Sequence, residues 1–392
     1  MPSDALSAWK ERMHQGLSAL EARSQRRSLA EIQGVNFCSN DYLGLAEHPA
    51  LRAEVAEAAR NSGKIGGTGS RLLSGQTEEW SDIEEEFAKF AGTEAALFFT
   101  TGYAANLGLL SSLVGKDDVV FSDERNHASL IDGMRLSGAR KVIYPHLNLN
   151  ALEDALRQAE DAPWRKVIVT ESIFSMDGDI APLAELANLA EKYNAALILD
   201  EAHATGVRGP AGHGLAEAVG ITSRVLALIH TCGKALASAG AFVCGPAVLK
   251  EHLLNHARTF IFSTALPPYF AAQIRAALRL AEGMNEDRDS LLGRAEHLRI
   301  TLQSEGFDTA GSASQIVPVV LGKNDAALDA AEHLQRDGFA VRGIRPPTVP
   351  EGGSRLRLSL TTRIPETELS RLVQSLVSWR SRQSSFADAR HA

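Results

Sequence analysis

The sequence predicts a doubly wound α/β protein with a large, mainly parallel sheet, followed by a smaller C-terminal α+β domain. Three observations carry this. Between residues 95 and 229, apolar runs of strand length alternate with stretches of helical length, the pattern of βα units. The runs Val167-Ile168-Val169 and Leu197-Ile198-Leu199 are apolar at every position, as strands covered on both faces are. Beyond residue 247 the pattern changes to long helical stretches and then to alternating strands. We place an N-terminal helix and short strand at 1–45, the large domain at 46–285 and the small domain at 286–392.

Composition limits the function. Of 392 residues 44% are hydrophobic and 22% charged, enough for a sizeable core in a soluble protein. The net charge of −8, with no long basic run, argues against a nucleic-acid partner. No apolar segment has the length of a membrane span. Met1-Pro2-Ser3-Asp4-Ala5 lacks the basic and then apolar order of a secretory signal. Cys38, Cys232 and Cys244 show no paired spacing and read as reduced thiols of a cytoplasmic protein.

The elements follow in order. Leu6, Trp9, Met13, Leu17 and Leu20 form one stripe at helical spacing, which predicts an amphipathic helix over 4–30 lying on an apolar body. Arg23, Arg26 and Arg27 at its end are either a solvated face or a contact for an anionic substrate. A strand at 35–38 leads into Ser39-Asn40-Asp41-Tyr42-Leu43-Gly44, a turn rich in capping residues, and then a helix over 49–61. Residues 63–71 are too rich in glycine for either element, and as a phosphate loop they lack the Gly-Lys-Ser/Thr ending. A helix over 77–90 has an acidic outer face. The strand at 95–100 runs into Thr101-Gly102-Tyr103-Ala104-Ala105-Asn106 and an apolar helix. Such a junction leaves free N–H groups for an anion, and is also a common βα turn. Strands at 119–123, 141–144 and 166–171 alternate with helices at 149–160 and 183–193.

Two strand ends carry the chemistry. The strand at 195–199 ends in Asp200-Glu201-Ala202-His203. Open α/β sheets place ligands at the carboxyl ends of their strands, and a carboxylate buried there needs a cationic partner. A protonated pyridine nitrogen is one such partner; the same Asp-x-x-His spacing also suits a metal pair or a capped loop. The strand at 225–229 is followed by His230-Thr231-Cys232-Gly233-Lys234. A lysine at the end of a buried strand is either an ordinary loop residue or a desolvated amine able to form a Schiff base. Asp200 and Lys234, each after its own apolar strand, favour the second reading. Cys232 reads as a small loop residue, because no base is assigned to it. His127, in Asn126-His127-Ala128-Ser129 after another strand, is either a plain loop histidine or a ring to stack on a flat cofactor.

Farther on, helices are expected over 247–259, 268–283 and onward to 305, with Ser263-Thr264 before Pro267-Pro268. Strands are expected at 316–321, 340–344 and 355–360. The last alternates, so Arg355 and Arg357 share a face suited to bidentate capture of a carboxylate.

The set Ser39-Asn40-Asp41-Tyr42-Leu43-Gly44, Thr101-Gly102-Tyr103-Ala104-Ala105-Asn106, Asn126-His127-Ala128-Ser129, Phe174-Ser175-Met176-Asp177-Gly178-Asp179, Asp200-Glu201-Ala202-His203-Ala204-Thr205-Gly206 and Thr231-Cys232-Gly233-Lys234 resembles the α-oxoamine synthases. These are pyridoxal-phosphate enzymes of fold type I that join an amino acid to an acyl thioester with loss of carbon dioxide. The resemblance covers nearly the whole chain in order. Ile344-Arg345-Pro346-Pro347-Thr348-Val349-Pro350 with Arg355-Leu356-Arg357 is most similar to members that use L-alanine and a pimeloyl thioester carried on coenzyme A or acyl carrier protein. The resemblance implies that Lys234 holds pyridoxal 5'-phosphate as a Schiff base and moves the α-proton. It implies that Asp200 pairs with the pyridinium, that His203 and Ser175 lie at the ring oxygen, and that His127 stacks on the ring. Gly102, Tyr103 and Thr231 would meet the phosphate, with Glu171 supporting the site. Asn40, His127 and Arg357 would bind the amino acid, and Thr348 and Arg26 the acyl chain, with Arg27 the alternative to Arg26. The family is homodimeric with sites at the subunit interface, so Ser263 and Thr264 would reach the neighbour's phosphate and the Gly66-Gly67-Thr68-Gly69 loop would lie there. Three other readings compete: a member using a different amino acid and acyl group, a non-catalytic partner subunit, and a binder of phosphorylated ligands. A partner subunit would lack Lys234, and a phosphate binder would not need Lys234, Asp200 and His203 together.

Overall fold

The computed structural model describes residues 4–29, 31 and 33–388. The expected helix end at Ala30 and the reading of Met1-Pro2-Ser3 lie outside the described residues. In chain order the elements begin with α1 (Asp4–Ala22), β1 (Val35–Asn36), α2 (Pro49–Asn61), α3 (Glu78–Phe90), β2 (Ala95–Phe99) and α4 (Gly102–Leu113). Next come β3 (Asp118–Asp123), α5 (Ala128–Ser137), β4 (Arg140–Tyr144), α6 (Leu149–Gln158), β5 (Arg165–Glu171), α7 (Leu183–Lys192) and β6 (Ala195–Asp200). After these follow α8 (Leu215–Ala218), β7 (Ala227–Thr231), β8 (Ala241–Gly245), α9 (Ala247–His256), α10 (Arg258–Ile261), α11 (Tyr269–Gly283) and α12 (Asn285–Ser304). The last are β9 (Ile316–Gly322), α13 (Asn324–Arg336), β10 (Phe339–Ala340), β11 (Gly343–Ile344), β12 (Ser354–Ser359) and α14 (Glu366–Asp388).

Two compact units result. The larger holds residues 40–175 and 179–291, the smaller residues 1–39, 176–178 and 292–392. Of the expected N-terminal segment at 1–45, residues up to 39 fall with the C-terminal unit. The physical reason is strand pairing, since β1 pairs in parallel with β10 through Val35↔Phe339 and Asn36↔Ala340. Residues 176–178 join the same unit through the buried ion pair of Asp177 with Arg355 and the bond from Ala313 N to Gly178 O.

In the larger unit the sheet has seven strands in the order β2-β8-β7-β6-β5-β3-β4. The strands from β7 to β4 run parallel, as expected, while β8 is antiparallel to both β7 and β2. The short segment from Cys232 to Gly240 leaves no room for a crossover helix, so β8 must return antiparallel. Gly240, at φ 84°, makes the return; a Cβ there would lie 2.1 Å from the Phe98 ring. Leu97, Val120, Val167, Ile198 and Ile229 pack on one face of the sheet with Leu109 of α4 and Leu130 of α5. Every residue of β3 is buried, as is every one of β7 and β8. One acid of α3 departs from its acidic outer face: Glu84 is buried, bonded to Arg71 at 3.0 Å and Lys250 at 2.9 Å, and it accepts from Phe98 N at 3.0 Å.

The smaller unit holds the antiparallel sheet β11-β12-β9. Two of its helices, α13 and α14, had no counterpart in the sequence reading. The expected helix over 4–30 stops at Ala22. There Ser24 takes φ 54° while Gln25 N reaches Leu20 O at 2.8 Å and Ser24 N reaches Glu21 O at 2.9 Å, a left-handed C-terminal cap. The expectation that its apolar stripe lies on a body is not met, since none of its residues is buried.

Candidate active site

The parallel strands end side by side in polar residues. Register sets Glu171 of β5 opposite Asp200 of β6, and Asp200 beside Ile229 of β7, two residues before Thr231. Beyond these ends lies a cavity of about 200 Å³, and Lys234, Asp200, His203, His127, Glu171 and Thr231 all line it, with Gly102 and Tyr103. One cavity thus gathers eight of the residues singled out in the sequence.

Asp200 is buried, and its Oδ1 accepts from Ala202 N at 2.9 Å while Oδ2 accepts from Asn106 Nδ2 at 2.7 Å. His203, also buried, has its Nδ1 2.6 Å from the Tyr42 hydroxyl, which lies 3.1 Å from Asn40 Oδ1. In the sequence Tyr42 is only part of the capping turn; its contact with His203 joins chain segments far apart. Lys234 is half-buried beyond β7. Burial, and next the Asp200 carboxylate, push the Glu171 carboxyl well above the usual carboxylate range. Its Oε1 is buried and meets no partner among the described residues.

α4 starts at the cavity. The Thr101 side chain caps it by accepting from Ala104 N at 3.0 Å, and Ala105 N reaches Thr101 O. The N–H groups of Gly102 and Tyr103 are left without a partner among the described residues, the ordinary state of a first helical turn. Together with the helix dipole they make an anion site. The Tyr103 hydroxyl bonds Asp132. Thr231 Oγ1 lies 3.4 Å from Gly233 N. His127 caps α5 and is exposed on the cavity side, its ring 6.3 Å from that of Tyr103. The protein packed around it lowers its pKa; Asp200 opposes this and Lys234 adds to it. An anion cradle, an amine and a carboxylate around one cavity suit a phosphorylated pyridine bearing an aldehyde.

The remaining expected residues are carried by other segments. Ser175 is half-buried in the loop after β5. Ser263 and Thr264 line a different, small cavity with Arg71, Trp80 and Phe98. The glycine-rich stretch packs beside them, with Ala265 N bonded to Gly69 O at 2.9 Å; a Cβ on Gly67 would come within 2.3 Å of Ala265 O. In the smaller unit, Arg357 is buried on β12 with Nη1 2.6 Å from Ser359 Oγ. It shares a face with Arg355, as the alternation predicts. Thr348 is met by Arg27, whose Nη2 lies 3.3 Å from its Oγ1, whereas Arg26 pairs with Glu21 at 2.8 Å. Of the two expected arginines it is Arg27 that meets Thr348, because the cap at Ser24 ends the helix and leaves Arg26 beside Glu21. Cys232 is fully buried, and burial raises its thiol, which leaves it unreactive. Glu201 is held at about pKa 7 by burial, against the N–H groups of Leu215 and Ala216 that it accepts.

A family model described as aminotransferase class I and II matches residues 32–376. The 8-amino-7-oxononanoate synthase of Geobacter sulfurreducens is 46% identical over 367 residues, covering 93% of this chain and 93% of that one. The crystal structure of 8-amino-7-oxononanoate synthase from Francisella tularensis is 29% identical with a TM-score of 0.78, covering 90% of this chain and 99% of that one. The serine palmitoyltransferase from S. paucimobilis with bound PLP–myriocin is 28% identical with a TM-score of 0.87, covering 96% and 98%. The chain belongs to the class I and II aminotransferase family, in the group of the 8-amino-7-oxononanoate synthases.

Proposed function

We propose that this protein joins L-alanine to a pimeloyl thioester, giving 8-amino-7-oxononanoate, carbon dioxide and the free thiol, with uptake of one proton. The observation that carries the reading is the single cavity holding Lys234, Asp200, His203 and His127 beside the open N-terminus of α4. Its cofactor is pyridoxal 5'-phosphate, which when bound supplies an electron sink for the charge left at the α-carbon. Lys234 Nζ would hold it covalently and would be the amine that takes and returns the α-proton. The Asp200 carboxylate pairs with the ring nitrogen, and His203 and Ser175 serve the ring oxygen. The N–H groups of Gly102 and Tyr103, with Thr231, hold the phosphate. Glu171 supports the site from beside Asp200. Asn40 and Arg357 are assigned to the amino acid, and Thr348 with Arg27 or Arg26 to the acyl chain. The resemblance further supports a cytoplasmic homodimer in which Ser263 and Thr264 serve the neighbouring subunit's phosphate. No helix among the described residues is long and apolar enough to cross a membrane.

The test is an end-point assay of the cofactor-loaded protein with L-alanine, glycine or L-serine and pimeloyl-, acetyl-, succinyl- or palmitoyl-coenzyme A, products identified by mass. The carrier-protein thioester is assayed beside the coenzyme A one. Product from alanine and pimeloyl thioester alone is the expected result. Turnover of glycine with a short acyl group would keep the chemistry and move the substrate. Absence of turnover, with a yellow colour that survives Lys234→Ala, would sink the catalytic reading.

A further inference from the structure

Asn106 and Ser129 have no part in the assignments above, yet both are buried at the cavity between Asp200 and His127. Asn106 Nδ2 donates twice, to Asp200 Oδ2 at 2.7 Å and to Ser129 Oγ at 2.9 Å. The amide's orientation follows from its partner: a carboxylate oxygen accepts only, so the nitrogen must face it. Ser129 Oγ, having accepted, keeps one proton to give, and His127 Nδ1 lies 2.7 Å away. The Ser129 backbone N–H reaches the same Nδ1 at 3.2 Å. Two donors converge on Nδ1, so it is an acceptor, and the proton of the neutral ring sits on Nε2. An imidazolium would turn an N–H against both donors and would face the positive end of α5, which His127 caps. The groups facing His127 are Asp200 from β6, Lys234 beyond β7, Tyr103 from α4 and Glu171 from β5. Desolvation and Lys234 outweigh Asp200, so the ring's charge is disfavoured on this count too.

We propose that Asn106 and Ser129 are positioning residues: a directed hydrogen-bond relay, anchored on the Asp200 carboxylate, holds His127 as the neutral Nε2–H tautomer. Asp200 thereby serves twice, once toward the cofactor ring and once, through two side chains, toward the histidine that borders it. The catalytic consequence rests on the function proposed above; the tautomer does not.

The test is nitrogen NMR of the full chain labelled with ¹⁵N-histidine and loaded with pyridoxal phosphate. His127→Gln identifies the His127 signals among the 12 histidines. The expected result is an unprotonated Nδ1 and a protonated Nε2. Ser129→Ala, which removes the hydroxyl but leaves the backbone N–H as the one donor to Nδ1, should shift the ring part of the way toward the Nδ1–H form, and Ser129→Thr, which keeps the hydroxyl, should restore the original pattern. With alanine and pimeloyl thioester, Ser129→Ala should lower kcat by roughly tenfold, comparable to the low end of what losing the outer partner of a metal-bound histidine costs. An Nδ1–H or doubly protonated His127 in the unmodified protein would overturn the relay with no variant needed. So would an unchanged tautomer in Ser129→Ala. The expected tautomer in a protein that does not turn over alanine would leave the relay standing and reject the substrate reading instead.

Discussion

His146 carries a charge that its sequence context does not announce. It lies between Asp123, 2.8 Å from its Nδ1, and Asp179, 2.6 Å from its Nε2. Burial works against the charged ring, but the hydrogen bonds to the two aspartates outweigh it and raise its pKa from 6.5 to about 9. The raised value means that the folded state binds a proton the unfolded chain has released, over the window between 6.5 and about 9. The stabilisation is complete below 6.5 and is lost as pH rises through about 9. The expected outcome is that His146→Asn lowers the urea midpoint at neutral pH, and that the gap to the unmodified protein closes above about pH 9. A gap independent of pH would show that His146 is held neutral. Nothing in the sequence marked this residue. Lys234, Asp200 and His203 stand out because each closes or follows an apolar strand, whereas the partners of His146 come from the end of β3 and from the loop after β5.

Among the elements, α4 joins stability to function. Its N-terminus is the proposed phosphate site, and Thr101 holds that turn by accepting from Ala104 N. Thr101→Ala is expected to cost about 1 kcal/mol of stability, read as a fall in the midpoint of unfolding, and Thr101→Ser to leave it essentially unchanged, since serine caps at least as well. Equal effects of the two would mean that the side-chain cap contributes nothing. Helices and strands of the larger unit were legible because burial follows period: α2 occupies the expected 49–61, and β5 and β6 start within a residue of their apolar runs. The misses have local causes. The helix over 4–30 was read too long because a serine, not a glycine, takes the left-handed position that ends it. α13 does carry the helical spacing, in Ala327, Ala330, Ala331 and Leu334, but with alanines rather than large apolar residues on its buried face.

The division into two units was the least legible feature, because it rests on contacts between distant segments. Residues 1–39 join the C-terminal unit through the pairing of β1 with β10, and residues 176–178 through the contacts of Asp177 and Gly178 with residues that come much later in the chain. The ion pair of Asp177 with Arg355 has both side chains 7% exposed. Removing one partner of such a pair strands a buried charge, so Asp177→Asn is expected to cost about 3–5 kcal/mol, read as a fall in Tm. Arg355→Met with Asp177→Leu should recover part of that loss, because no unpaired charge remains. A double variant as unstable as the single one would place the loss in packing instead.

The order of elements, the parallel sheet and the residues that stand at its carboxyl ends follow from local pattern alone, because side-chain period and strand length are set by neighbours in sequence. That is why Asp200, His203 and Lys234 stand out in the sequence itself. The relay from Asp200 to His127, the contact of Tyr42 with His203, the charge on His146 and the preference for Arg27 at Thr348 could not. Asn106 meets Asp200 across a separation of 94 residues, and Tyr42 meets His203 across 161. No periodicity encodes such pairs; they exist only once the strands have aligned and the loops beyond them have closed around one cavity.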